Sequence, residues 1–375
     1  LTGWVLALTI HGPAVILDGL EAPQVERTRK FLRTLALPPG DLAEAPTSTK
    51  RFDDGAQYRV EIPSVEGPEA LEGVLDEASR RAVPVHRVSQ GSGGMLLTTQ
   101  ELASTAALAA DAGVEVSLFA RPLAGWDTGA AALAPGGSAL AGQARGTEQL
   151  VHVLEDIRRT AEAGIRGALV TDIGVLSVAA SMRERGELPG GLRFKVSVQM
   201  GCANPASIRI VERLGADSYN VPTDLSLAQL AAVRAAVDLP IDLYVEAPDD
   251  LGGFVRHFEI AEIVRVAAPV YLKFGLRNAP NIYPSGTHLG ATAVALCRER
   301  VRRARIGLDL LARYYPDATT STGPAPDLAV PAKVGGSPAP GGGSPVPGGG
   351  SPVPGGEPPD TGHRVEVGAA TGGAA

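Results

Sequence analysis

Short apolar runs alternate with longer amphipathic ones along most of this chain, and the alternation is plainest between Gly164 and Pro248. There the order is GALVTD, a helix-like run to Glu187, FKVSVQ, a helix from Ala206 to Leu214, SYNVP, a helix from Ser226 to Val237, and IDLYVE. Strand, helix and strand at this spacing make parallel β/α units, because parallel neighbours need a crossover long enough to hold a helix. Upstream, QYRVEIP, VPVHRVS and VEVSLFARP read as three more strands; downstream, PVYLKFGL reads as the eighth, before a final helix from about Leu289 to Tyr314. The pattern predicts a (β/α)8 TIM barrel over residues 28–315.

The flanks read differently. Residues 1–27 open on an apolar run that His11, Gly12 and Pro13 interrupt and that has no basic n-region, so a dispensable extension is expected there rather than a signal peptide or a membrane span. Residues 316–375 include GGSPAPGGGSPVPGGGSPVPGGEPPD, which has almost nothing to bury; a disordered, separable tail is expected. Between strands three and four, the Ala- and Gly-rich segment from Leu123 to Gly146 carries WDTG, and a loop of that length on a barrel is usually functional or mobile.

Alternation within the strands separates side chains that face the surrounding helices from those that face the axis. On strand seven Ile241, Leu243 and Val245 form the apolar outer set, which turns Asp242, Tyr244 and Glu246 inward. On strand eight Val270, Leu272 and Phe274 leave Tyr271 and Lys273 inside. The same parity places Arg59 and Glu61, Arg87, Glu115, Ser117 and Arg121, Asp172, and Lys195, Ser197 and Gln199 on the interior. Barrels that need only a core stack Val, Ile and Leu there, and buried charges are costly unless paired or used. A structural network of mutually neutralising ions is one reading of this interior; a polar ligand site at the strand carboxyl ends, with paired charges beneath it, is the other. On the second reading Glu246, Lys273 and Asp172 are the candidate catalytic residues, with Glu246 and Lys273 acting together at the ends of adjacent strands. Glu61, Arg87, Gln199, Asn204, Asn220 and Arg277 are candidates for holding substrate. Gly252 and Gly253 follow strand seven, and Ser285 to Thr287 precede the last helix; free backbone N–H groups at such places can hold an anion, with Arg277 as a clamp.

Composition narrows the partners. The chain has 375 residues, 44% hydrophobic and 20% charged, and a net charge of -7, without the concentrated basic surface that nucleic acid requires. Arg298, Arg300, Arg302, Arg303 and Arg305 are expected on the solvated face of the last helix. Cys202 and Cys297 are the only cysteines, too few for a disulfide framework or a four-thiolate cluster, and the cytoplasm is the default compartment. His86, His257 and His288 have no metal-ligand spacing and are expected in the core or on the surface; no GxSxG, HExxH or Walker pattern occurs. No cofactor is expected, no residue pattern supports a metal although the sequence leaves open a divalent ion on the carboxylates, no membrane or nucleic-acid partner is expected, and a small molecule or a peptide is the expected ligand.

Taken in order, ALVTDIGVLSVAASM, KVSVQMGCANPASIRIVERLGAD, VPTDLSLAQLAAV and IDLYVE resemble the barrel of the collagenase-like peptidases, the prokaryotic family of unassigned catalytic type. Asp172, Gly174, Gln199, Asn204, Gly215, Ala216, Asp224, Leu225 and Ser226 carry the resemblance, which runs from about Gly164 to Glu246. It implies a TIM barrel with peptidase-like activity. Two positions depart from the family. Thr223 and Asp224 stand where members place an Arg-Glu pair, and APDDLGGFVRHFEIAE replaces a segment that in several members supplies cysteines to an iron-sulfur cluster. No such cluster is expected here. Besides a peptidase-like enzyme acting on a small polar or anionic substrate, two alternatives stand: a lyase or aldolase using Lys273 as base or Schiff-base amine, and a non-catalytic ligand-binding or scaffold barrel.

Overall fold

The computed structural model describes residues 23–126, 134, 137–323 and 325–333. Eight strands, β1 (Tyr58–Pro63), β2 (Arg87–Gln90), β3 (Glu115–Phe119), β4 (Gly167–Val170), β5 (Arg193–Val196), β6 (Ser218–Asn220), β7 (Ile241–Glu246) and β8 (Val270–Phe274), pair in sequence order. Every pairing is parallel and β8 returns to β1, so the barrel is closed. This is the (β/α)8 TIM barrel that the hydrophobic pattern predicts. The helices are α1 (Pro23–Thr34), α2 (Pro68–Arg81), α3 (Thr99–Ala112), α4 (Gly146–Glu162), α5 (Ile173–Glu184), α6 (Pro205–Arg213), α7 (Leu227–Ala236), α8 (Ile260–Ala267) and α9 (Gly290–Tyr314).

The outer faces of the strands form the main core. Val60, Ile62, Val116, Phe194, Val196, Ile241, Leu243, Val270, Leu272 and Phe274 are all buried against the helices, and each contributes about 1.5–3 kcal/mol through removal from water. Helix starts are set by local chemistry: Thr98 with Glu101 and Ser226 with Gln229 make capping boxes, and Asn204 and Asp172 cap α6 and α5. α9 lies close over β8 at Gly307, where a Cβ would stand 2.5 Å from the Phe274 ring. Its arginines are not simply a solvated face: Arg300 is buried against the Ser64 carbonyl and Cys297, and Arg303 reaches Glu246 at 3.4 Å.

Both expected domain boundaries move. α1 begins at Pro23, inside the stretch 1–27 expected to be an extension. At the other end, residues 317–323 and 325–333 lie against the amino end of the barrel instead of leaving it. Thr319 exchanges hydrogen bonds with Gln57, Thr320 bridges Tyr58, Ser321 is buried against Arg59 and His86, and the Ala332 N–H donates to the Gly164 carbonyl. Composition misleads here because most of the hold comes from backbone and hydroxyl hydrogen bonds and from the Asp327 carboxylate, and the apolar residues buried with them, Ala325 and Ala329, are small. The remainder of that expected tail, 334–375, lies outside the described residues, as do 1–22 and the DTG of WDTG.

Candidate functional site

The barrel axis is ionic along its whole length. At the amino end Arg59, fully buried, makes a bidentate pair with Asp327 (2.8 Å and 2.8 Å) and donates to Ser321 Oγ at 2.8 Å, with Asp54 at 3.5 Å and the Phe52 ring beneath it. In the middle, Glu61 accepts from Arg87 Nε (2.7 Å), from Ser89 Oγ (2.7 Å) and from Lys195. Arg87 also meets Asp242 at 2.5 Å and Glu115 at 3.5 Å, and Lys195 meets Asp242 at 3.3 Å. Nearest the carboxyl end, Lys273 donates to Asn220 Oδ1 at 2.5 Å, stands 3.4 Å from Glu61 and lies over the Tyr244 ring at 4.2 Å.

Burial works against the ionised form of Glu61, but Arg87, Lys195 and Lys273 together hold its carboxyl well below the usual range. Glu115 is the reverse case: burial raises it, and Arg87 offsets that only in part. Lys195 is pulled down to about 7, first by burial and then by repulsion from Arg87, although Asp242 and Glu61 oppose this. Beyond Arg59, the axis thus holds three more buried cations, Arg87, Lys195 and Lys273, among three buried carboxylates, Glu61, Asp242 and Glu115.

Above this network the carboxyl face opens into a cavity of about 310 Å³ whose walls include Lys273, Asn220, Gln199 and Tyr244. Phe119, Arg121 and Trp126 line it from the β3 side, and Asp250, Asn281 and Tyr283 from the loops after β7 and β8. Arg121 is buried and stacks on the Phe119 and Trp126 rings at 4.1 Å and 3.8 Å. Its Nε donates to the Gly91 carbonyl at 3.3 Å, and among the described residues no carboxylate lies within ion-pair distance of it. Burial lowers it to about 10, which leaves it charged at neutral pH. Asp250 is the cavity's one carboxylate among the described residues; burial, together with neighbouring Asp249, raises its pKa above the ordinary value.

Three of the sequence-predicted residues, Lys273, Gln199 and Asn220, come together on this cavity. Glu61 and Arg87 lie one layer deeper, paired with each other, and Arg87 faces the amino-end cavity instead. Glu246 does not join Lys273. A register shift between Tyr244 and Glu246 sets Glu246 opposite Phe274, whose side chain faces the helices, and so reverses the parity expected for it. Its carboxylate accepts from the Arg277 N–H (3.0 Å) and meets His257 Nε2 (3.2 Å) and Arg303 (3.4 Å) on the outer side of the barrel. Asp172 caps α5 through the Val175 N–H and anchors the Ala144 N–H, and Asn204 is an exposed cap; both do structural work. At Gly252 and Gly253 the backbone N–H groups donate to the carbonyls of Asp249 and Pro248, so they are spent on the turn and not free for an anion. Arg277 sits exposed at the rim, 3.6 Å from Asp249. The residues missed as site candidates are Arg121, Phe119, Trp126, Tyr244, Asp250 and Tyr283. Strand parity already turned Arg121 and Tyr244 inward; the others lie at a strand end or in loops, where alternation carries no signal.

Among the described residues no three metal-ligating side chains gather in a cluster, and no helix is long and apolar enough to cross a membrane. No curated protein matches the chain in sequence. In fold it is similar to a Burkholderia cenocepacia J2315 protein named as a lyase/mutase (15% identity over 73% of this chain and 86% of that one, TM-score 0.38). It is similar also to the U32 peptidase Mk0906 (18%, 58% and 78%, 0.33) and to thiamine phosphate pyrophosphorylase from Pyrococcus furiosus (12%, 68% and 98%, 0.38). The model of Peptidase family U32 matches residues 142–247, the segment from just before α4 to just after β7. Those residues hold the Asp-x-Gly, Gln, Asn and Asp-Leu-Ser positions in their order, and over that segment the chain is similar to the collagenase-like peptidases of family U32.

Proposed function

We propose that the carboxyl-face cavity is the active site of an enzyme acting on a small anionic substrate, with Arg121 and Lys273 holding the anion and Lys273 supplying a proton. One observation carries this reading: two buried cations stand on the walls of one cavity, and among the described residues no carboxylate lies within ion-pair distance of Arg121, Glu66 acting on it only from beyond that distance while accepting from the Gly91 and Ser92 N–H groups. A buried guanidinium without a counter-ion in contact is costly, and a ligand carboxylate or phosphate would supply that contact in the bidentate geometry that guanidinium favours. The Phe119 and Trp126 rings stack on the Arg121 guanidinium and shield it from solvent, which strengthens a charge contact made there.

Lys273 favours proton donation over Schiff-base chemistry. Its amine nitrogen donates to Asn220 Oδ1 and stands 3.4 Å from Glu61, and a carbonyl adduct would have to give up both contacts, whereas proton donation need not. Amide hydrolysis, which family U32 would suggest, has less support at this site: Ser89 is committed to Glu61, and His86 and His257 are bonded at the amino end of the barrel and on its outer side. The test is a thermal-shift screen of anionic and neutral metabolites on the wild type, Arg121→Ala and Lys273→Met. Anionic compounds should stabilise the wild type in proportion to ligand excess, and both variants should lose the shift. Stabilisation by neutral compounds alone, or shifts that survive in both variants, would refute the reading.

A further inference from the structure

We infer that binding of an anion in the carboxyl-face cavity is coupled to proton uptake at Lys195, through the side-chain chain Lys273, Glu61, Lys195. The inference rests on the proposed anion site and extends it to the other end of the barrel.

The contacts form an unbroken line. Lys273 lies on the wall of the upper cavity and stands 3.4 Å from Glu61. Glu61 is bonded to Lys195, and Lys195 lines a second cavity of about 220 Å³ at the amino end. The charged and titratable groups facing Lys195 are Glu61 from β1, Arg87 from β2, Glu115 from β3, Asp242 from β7 and Lys273 from β8; Arg193 and Asp217 share the lower cavity with it. Two of its neighbours in the axis, Arg87 and Lys273, are cations that repel its ammonium, and burial adds to their effect, so that its proton is loosely held near neutrality.

An anion seated on Lys273 changes this balance. It cancels the positive field that Lys273 exerts on Lys195, and it competes with Glu61 for the Lys273 ammonium, which leaves more of the Glu61 charge for Lys195. Both effects favour the Lys195 ammonium. The neutral amine then takes one proton from the medium through the amino-end cavity, without that proton passing the ligand. By linkage the proton and the anion strengthen each other's binding equally.

The test is calorimetric titration of the full chain with oxalate, and with sulfate in parallel, at about pH 7.5 in buffers of different ionisation enthalpy; both probes are fully ionised above about pH 6. The expected result is net proton uptake, with affinity that rises as pH falls toward about 7 by up to about tenfold per pH unit. In Lys195→Met, and in Lys195→Arg should the first variant not fold, either anion still binds but the uptake is lost. Failure of the wild type to bind either anion overturns the site and the coupling together. Heats that do not depend on the buffer, with binding intact, overturn the coupling alone. Uptake that persists in the Lys195 variants assigns the proton elsewhere and equally overturns it.

Discussion

Replacement of Asp327 by Ala tests whether the segment after α9 is part of the barrel. Asp327 gives both carboxylate oxygens to Arg59, whose side chain is 1% exposed, while its own is 19% exposed. Removing one partner of a buried ion pair costs about 3–5 kcal/mol, because the other charge is left uncompensated. The low end applies here, since Asp54 at 3.5 Å and Ser321 Oγ at 2.8 Å remain with Arg59. A loss of about 3 kcal/mol is expected, equivalent to a drop in Tm of about 6 °C at roughly 2 °C per kcal/mol for a domain of this size. Urea unfolding of wild type, Asp327→Ala, Arg59→Met and the double variant measures it, and the double variant should lose less than Asp327→Ala, because it leaves no lone buried cation. If Asp327→Ala unfolds within about 0.5 kcal/mol of wild type, as an ordinary surface substitution would, the segment is not held as described.

Glu246→Gln should lower stability by about 1.5–3 kcal/mol, the worth of hydrogen bonds to a charged group, while anion binding measured by calorimetry stays at the wild-type level, because the carboxylate faces His257 and Arg303. Asp172→Ala should cost about 1 kcal/mol, as loss of a helix cap does, again without change in ligand response. His86 accepts from the Val60 N–H at Nδ1, so the neutral ring carries its proton on Nε2 and donates to the Ser321 carbonyl. Burial lowers its pKa below the ordinary value. The unfolded chain then binds this proton first as pH falls, so the stability contributed by the neutral ring is complete above about pH 6.5 and is lost progressively below it. Chemical denaturation between about pH 7.5 and 5 should show that slope in wild type and a shallower one in His86→Asn.

The barrel was legible because parallel strands covered by helices must be apolar on their outer face, and Ile241, Leu243, Val270, Leu272 and Phe274 show that spacing without interruption. The ionic axis followed from the same parity: Glu61, Arg87, Lys195, Asp242 and Lys273 all lie where alternation puts them. Glu246 did not, because one extra residue at the end of β7 is enough to turn a side chain to the opposite face, and a bulge leaves no mark on composition. Gly252 and Gly253 show a related limit. A glycine pair is compatible with an anion nest and with a tight turn, and only the partners of its N–H groups decide between them. Asp327 and Thr319 read as tail because their contacts, to Arg59 and Gln57, lie more than 250 residues away in sequence and obey no period. Trp126 and Tyr283 reach the cavity from loops, where the shape of the chain and not its alternation sets direction.

The central claim, that Arg121 and Lys273 hold an anion at the carboxyl face of the barrel, is tested most directly by selenate soaked into crystals of the full chain and located by its anomalous scattering. The account predicts a selenium peak inside the cavity, within hydrogen-bond distance of the Arg121 guanidinium and the Lys273 ammonium, and absent in Arg121→Ala. A cavity without the peak, while selenate occupies exposed arginines on the outer helices, would contradict it.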